Sequence, residues 1–218
     1  MKVSQTLSSS ALVALAFFAM SDSSARADGP PESGSGWLQL RTGATFADAA
    51  TIDSFVGLES NGDPAMVLGL GVHWRTSRLD FGAIFESHSS WSFTGVGRDQ
   101  RVGAQFRAAA HLRWRYIEDT WGSLYLALTP GLVVFDHAEP MRFQVAQSIG
   151  ASDRTVDEHS IGFSFGFDFG ALFYLSEDLA FSLHLDVVTS NTSLATDGGD
   201  VDLGMVRGLF AVGIEWRM

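Results

Sequence analysis

The chain has 218 residues, a formal net charge of −11, 23 glycines, 17 phenylalanines and no cysteine. That length fits one domain, the missing thiols exclude disulfide and thiolate-metal chemistry, and the acidity argues against a nucleic-acid partner, whose phosphates need a basic surface. No helical apolar run reaches the 18 or so residues of a membrane span, so an inner-membrane helical protein is excluded as well.

In chain order, the first feature is Lys2, an apolar run from Ala11 to Met20 and the small-x-small site Ala25-Arg26-Ala27. The run is too short to span a membrane and reads as a cleaved secretory signal over residues 1–27. Losing Lys2, Asp22 and Arg26 with it takes the net charge from −11 to −12 and removes the last lysine. Residues 28–36, rich in Gly, Pro and Ser, read as a flexible periplasmic tail. Residues 37–218 then form a single unit.

Eight candidate strands fill that unit, each alternating between an apolar and a polar list, the period of two of a strand with unlike faces. The first, about Trp37 to Phe46, places Leu38, Leu40, Ala44 and Phe46 on one face. The second, about Ala65 to Arg75, sets Met66, Leu68, Leu70, Val72 and Trp74 against His73 and Arg75, and the third, about Leu79 to Ser87, sets Leu79, Phe81, Ala83 and Phe85 against Asp80 and Glu86. The fourth, from Gln100 to Tyr116, carries Arg101, Arg107, His111, Arg113 and Arg115 on one face and Val102, Phe106, Leu112 and Trp114 on the other. The fifth, about Gly122 to Phe135, opposes Leu124, Leu126, Leu128, Leu132 and Val134 to Tyr125 and Thr129.

In the sixth strand, Phe163, Phe165, Phe167, Phe169 and Phe173 make a nearly unbroken aromatic face opposite Asp168. Such a face in water is an aggregation site, so lipid must cover it. The seventh, about Leu179 to Thr189, opposes Phe181, Leu183, Leu185 and Val187 to His184 and Asp186; the eighth, about Leu203 to Met218, opposes Val206, Phe210, Val212, Ile214, Trp216 and Met218 to Arg207, Glu215 and Arg217. Short connections follow strands two, four and six, and long ones follow one, three, five and seven. Short periplasmic turns alternating with long outer loops mark a bacterial outer-membrane barrel and put both termini on the periplasmic side. The predicted fold is all-β, an eight-stranded antiparallel up-and-down transmembrane β-barrel, with Trp37, Trp74, Trp91, Trp114, Tyr116, Trp121, Tyr174 and Trp216 near strand ends.

In this pattern the chain resembles the small outer-membrane β-barrel proteins of the OmpA transmembrane-domain, OmpX and OmpW type. The resemblance spans nearly the whole of residues 37–218, and its nearest approach to a signature is the terminal alternation of Phe210, Val212, Ile214, Trp216 and Met218. In this class that alternation is the signal read by the barrel-assembly machinery; most members end in Phe where this chain ends in Met218.

An eight-stranded barrel has an interior that side chains fill. The candidate site is therefore the inward charge set: Arg75, Asp80, Glu86, Arg101, Arg107, Arg113, Asp168, Asp186, Arg207 and Glu215. Charges held there must pair, since an isolated buried ion is prohibitively costly. A structural salt-bridge interior is the leading reading, and a narrow channel whose arginines favour anions is the alternative.

No metal, cofactor or catalytic site is expected. His73, His111 and His184 lack any metal-ligand spacing. Two polar runs, Glu86-Ser87-His88-Ser89-Ser90 and Asp157-Glu158-His159-Ser160, carry the residue types of a hydrolase near the outer rim, where lipid A deacylases and palmitoyltransferases of this size keep their sites. Neighbours on a strand point to opposite faces, however, and rarely form a triad. Acidic residues gather in the outer loops, from Asp48 to Asp63, Asp136 to Glu158 and Asp197 to Asp202. Solubility accounts for them, with divalent-cation bridging to lipopolysaccharide phosphates as the functional alternative. The expected protein is a monomer in the bacterial outer membrane, contacting lipid, lipopolysaccharide and the assembly machinery.

Overall fold

The computed structural model describes the backbone of residues 33–52, 56–60, 65–89, 91–95, 98–102, 104–136, 141–147, 150–156, 159–194 and 201–218, with side chains over 33–46, 65–89, 104–136, 160–193 and 202–218. The expected signal and most of the tail lie outside these residues. Thirteen strands run in chain order: β1 Ser35–Ile52, β2 Val56–Ser60, β3 Met66–Arg75, β4 Leu79–His88, β5 Trp91–Gly95, β6 Arg98–Val102, β7 Gln105–Asp119, β8 Gly122–Asp136, β9 Met141–Gln147, β10 Gly150–Val156, β11 His159–Ser176, β12 Leu179–Leu194 and β13 Val201–Arg217. Eight of them (β1, β3, β4, β7, β8, β11, β12, β13) pair antiparallel with their sequence neighbours. β13 returns to β1, in register from Trp37↔Arg217 to Ile52↔Leu203. This closure removes the sheet edge that an open eight-stranded sheet would expose.

Three tight connections, at residues 76–78, 120–121 and 177–178, share one end of the barrel with Ser35 and Arg217. The other end carries the longer excursions. There β2 continues the edge of β1, β5 pairs with β2 and β6, and β9 with β10 makes a separate hairpin. The expected long loops thus hold ribbon structure, and β1 and β12 run on to Ile52 and Leu194.

Pleating explains the two faces. β3 alternates exposed and buried along its whole length, with Leu68, Leu70, Val72 and Trp74 outward and Val67, His73 and Arg75 inward. On β11, Phe167 is 45% exposed and Phe169 43%, whereas Asp168 between them is fully buried. Apolar side chains outward and charged ones inward invert a water-soluble barrel, which is the arrangement that a bilayer solvates.

The structure corrects two details. The fourth barrel strand starts at Gln105; Arg101 lies in β6, paired with Ser92 of the outer ribbon, and its side chain is outside the described residues. β4 ends at His88, opposite Gln105, so it has nothing to pair with residues 100–104, and a ribbon alternates just as a barrel strand does. Trp37 and Tyr174 lie near strand ends, as expected, and point inward, 0% and 7% exposed. Their phase decides this, since Trp37 shares parity with Gln39, and Tyr174 with Asp168. Ile117 to Asp119 belong to β7 after a bulge near Arg115, leaving Thr120 and Trp121 as the turn.

Candidate functional site: the charged barrel interior

Each barrel strand contributes inward side chains at two-residue intervals, and the registers stack them into three tiers. Nearest the short turns, Asp80 of β4 meets Arg115 at 3.2 Å, Arg113 at 3.4 Å and Arg75 at 3.7 Å. Glu215 of β13 accepts two hydrogen bonds from Arg113, at 2.7 and 3.0 Å, in the fork geometry that suits a guanidinium and a carboxylate. Arg75 lies 4.2 Å over the Trp37 ring and Arg113 lies 4.4 Å over Tyr125, so buried aromatics also face these cations. Arg115 closes the tier by pairing with Glu118 and donating to the carbonyl of Thr76 at 2.6 Å.

The middle tier is less charged. Gln39 donates to Glu215 at 2.8 Å and touches both His184 and His73, at 3.1 and 3.2 Å. His73 and His111 meet through their Nδ1 atoms at 3.0 Å. His184 Nδ1 lies 3.0 Å from Asp168 and 2.6 Å from the Tyr125 hydroxyl.

Toward the long-loop end, Glu86 sits between Arg41, which donates a hydrogen bond to it, and Arg107 at 2.8 Å. Arg107 also donates to Ser164 at 3.1 Å and to the Thr129 carbonyl and hydroxyl, each at 2.5 Å. Arg41 reaches Asp186 at 3.2 Å and Asp168 at 4.0 Å, and these two carboxylates are register partners on β11 and β12. One guanidinium thus spans three acids. His88 lies 3.9 Å from Glu86, with Arg207 at 3.4 Å.

Glycines supply the room. A Cβ on Gly166 would stand 2.2 Å from the Thr129 hydroxyl and 2.8 Å from Arg107, and one on Gly69 would stand 2.7 Å from the Arg41 stem. The small residues on the inward face are the complement of the arginines, as close packing requires.

Nine of the ten residues read as the interior charge set have described side chains, and all nine are buried inward; Arg101 is the tenth. Arg75, Asp80, Arg113 and Glu215 meet in one tier, and Glu86, Arg107, Asp168 and Asp186 in another through Arg41. Arg41 and Gln39 were absent from that reading. Their signal was available, because they alternate with Leu38 and Leu40. The first hydrolase-type run separates as alternation requires: Glu86 and His88 face inward, Ser87 does not, and the Ser89 hydroxyl accepts from the Met66 amide. In the second run, Asp157, Glu158 and the His159 side chain lie outside the described residues.

A closed eight-stranded barrel with an apolar exterior and a charged lumen is the fold of the small outer-membrane β-barrels. Two solved structures with that fold match nearly end to end. The outer membrane protein OprG from Pseudomonas aeruginosa is 12% identical with a TM-score of 0.54, over 87% of this chain and 98% of OprG. The Neisserial surface protein A (NspA) is 11% identical with a TM-score of 0.51, over 86% of this chain and all of NspA. No protein-family description and no curated protein matches the sequence.

Proposed function

We propose that this chain is a bacterial outer-membrane β-barrel protein, exported on a cleaved signal, whose lumen is closed by its own charged side chains and whose role is structural or interactive rather than catalytic. One observation carries the reading. Among the described residues, six arginines and five carboxylates are buried at 3% exposure or less, and they interlock across the lumen rather than lining a wall. Removing one partner of such a pair leaves a buried charge, at a cost of about 3–5 kcal/mol, so the set holds itself together. A conducting lumen needs hydrated walls, and ions cross it only if binding sites release them.

Several further assignments belong to the same proposal. The protein is a monomer embedded in outer-membrane lipid, needs no cofactor, and has no nucleic-acid partner. Its acidic outer loops face lipopolysaccharide, with divalent cations as the bridge, and Phe210, Val212, Ile214, Trp216 and Met218 are read by the barrel-assembly machinery. The similar fold of OprG and NspA supports the membrane and says nothing of the role.

Planar-bilayer conductance near neutral pH tests the closed lumen, with folding checked by the gel mobility of unheated protein. The expected record is silent. Discrete steps whose ion selectivity changes in Arg107→Gln or Arg113→Gln would replace this reading with that of an anion-selective channel.

A further inference from the structure

The middle tier has a donor–acceptor order that can be followed atom by atom from Glu215. A carboxylate only accepts, so Gln39 must present its NH₂ group to Glu215, 2.8 Å away. The same nitrogen meets His184 Nε2 at 3.1 Å, and that ring atom must therefore accept. The His184 proton then sits on Nδ1, 3.0 Å from Asp168 and facing the Tyr125 oxygen. The other end of the Gln39 amide is its carbonyl, which accepts from His73 Nε2 at 3.2 Å. His73 Nδ1 is consequently bare and accepts from His111 Nδ1 at 3.0 Å. Three tautomers follow from one carboxylate. Gly71 is shaped for this chain: a Cβ there would lie 2.8 Å from His73 Nε2 and 2.9 Å from the Gln39 carbonyl oxygen.

Every histidine is neutral in this order, and a second proton on either central ring reverses a bond. A proton on His73 Nδ1 would face the His111 N–H across 3.0 Å unless the His111 proton moves to its own Nε2, a buried atom with no hydrogen-bond partner. A proton on His184 Nε2 would face the Gln39 NH₂ across 3.1 Å and turn instead to the Ser182 hydroxyl, 3.0 Å away, releasing Gln39. Flipping the Gln39 amide does not help, because it turns the carbonyl toward Glu215 and the NH₂ toward His73. The surroundings add to the conflict. His73 is faced by Arg41 from β1, His111 and Arg113 from β7, His184 from β12 and Glu215 from β13; β4 presents only Gly82 at that level. His184 is faced by Arg41, Arg113, Glu215, His73 from β3, His111 from β7, Asp168 from β11 and Tyr125 from β8, with Ser182 and Asp186 on its own strand. The described interior already holds six arginines against five carboxylates.

We infer that the Glu215–Gln39–histidine chain is an acid-operated latch: it holds the lumen shut near neutral pH, and protonation of His73 and His184 breaks it and admits ions. Imidazole is the side chain suited to this, because its ordinary titration lies just below neutral pH. The latch ties β1, β3, β7, β8, β11, β12 and β13 together, so breaking it loosens the lumen on most sides while the backbone ladders stay intact. The inference rests on the closed-lumen reading proposed above.

The test uses protein purified from membranes, in planar bilayers near neutral pH and at acid pH stepped down to about 3, well below ordinary imidazole titration because burial and the facing arginines oppose the second proton. The expected record is silent at the first and stepped at the second, with step frequency rising about tenfold per pH unit for each of the two controlling protons, about a hundredfold for both. His73→Gln with His184→Gln, confirmed as folded by unheated gel mobility, removes the acid response. Should that pair fail to fold, ring ¹⁵N NMR of the unaltered protein decides: protons on His184 Nδ1, His73 Nε2 and His111 Nδ1 support the latch, and any other pattern overturns it. Silence at both pH values from folded protein overturns the latch and leaves the closed lumen standing. Steps at both overturn the closed lumen itself.

Discussion

Glu86 is the residue on which the outer tier depends, because two arginines from different strands reach it and neither has another carboxylate as near as its own contact there. Glu86→Gln keeps the shape and removes the charge, so Arg41 falls back on Asp186 while Arg107 keeps only Thr129 and Ser164. The expected loss is about 3–5 kcal/mol, the cost of a broken buried pair, read from urea unfolding in lipid vesicles. A loss below about 1 kcal/mol, the scale of a surface pair, would show that the tier is wet rather than buried. Gly166→Ala tests the same tier from the opposite direction by overfilling it, at about 1–3 kcal/mol. Its Cβ has no free direction, since both the Thr129 hydroxyl and the Arg107 guanidinium stand where it would go. Individual charges were visible in the sequence as inward positions. Which acid meets which arginine was not, since Arg113 and Glu215 lie 102 residues apart and meet only through the strand registers.

At the scale of the element, β11 was the most legible strand, because five phenylalanines at period two leave no helical alternative. The structure lays them outward, from Phe163 at 75% exposure to Phe169 at 43%. Its opposite face is mostly glycine and small polar residues with a single acid, and β8 and β12 flank it with leucine and valine. If lipid is the solvent of this ridge, the cost of a charge depends on depth along it. Phe167→Arg, at mid-strand, should lose about 2–4 kcal/mol of folding free energy in vesicles, and Phe163→Arg, nearer the long-loop end, about 0–1 kcal/mol. Equal costs at the two positions would contradict a bilayer around β11. The strand boundaries toward the long loops were less legible. Alternation continues from a barrel strand into a ribbon without changing period, so Arg101 and Arg107 look alike in sequence although they belong to β6 and β7.

Closure is a property of the whole molecule, and it depends on the two barrel strands farthest apart in the chain. Trp37, Leu38, Gln39 and Leu40 pair with Arg217, Trp216, Glu215 and Ile214, so the last residues of β13 complete the ladder where β1 begins. Those residues also pair with β12, Leu179 with Trp216 and Phe181 with Ile214, so they staple three strands at the turn end. They carry Glu215 as well, the carboxylate that accepts from Arg113 and Gln39. The even strand count and the alternation of loop lengths made closure legible, but its register was not, because no local signal links strands so distant in sequence. Deleting residues 214–218 should therefore remove ladder, staple and carboxylate together. Cells expressing that deletion are expected to yield no fast-migrating unheated band in the membrane fraction, whereas Met218→Ala, which removes only an exposed side chain at the rim, should assemble like the unaltered chain. A second comparison separates recognition from stability: Glu215→Gln retains the terminal apolar alternation, so it should reach the membrane folded yet unfold at lower urea. Assembly of the deletion at normal levels would mean that β12 can close on β1 without the end of β13, leaving the terminal alternation with no part in forming the barrel.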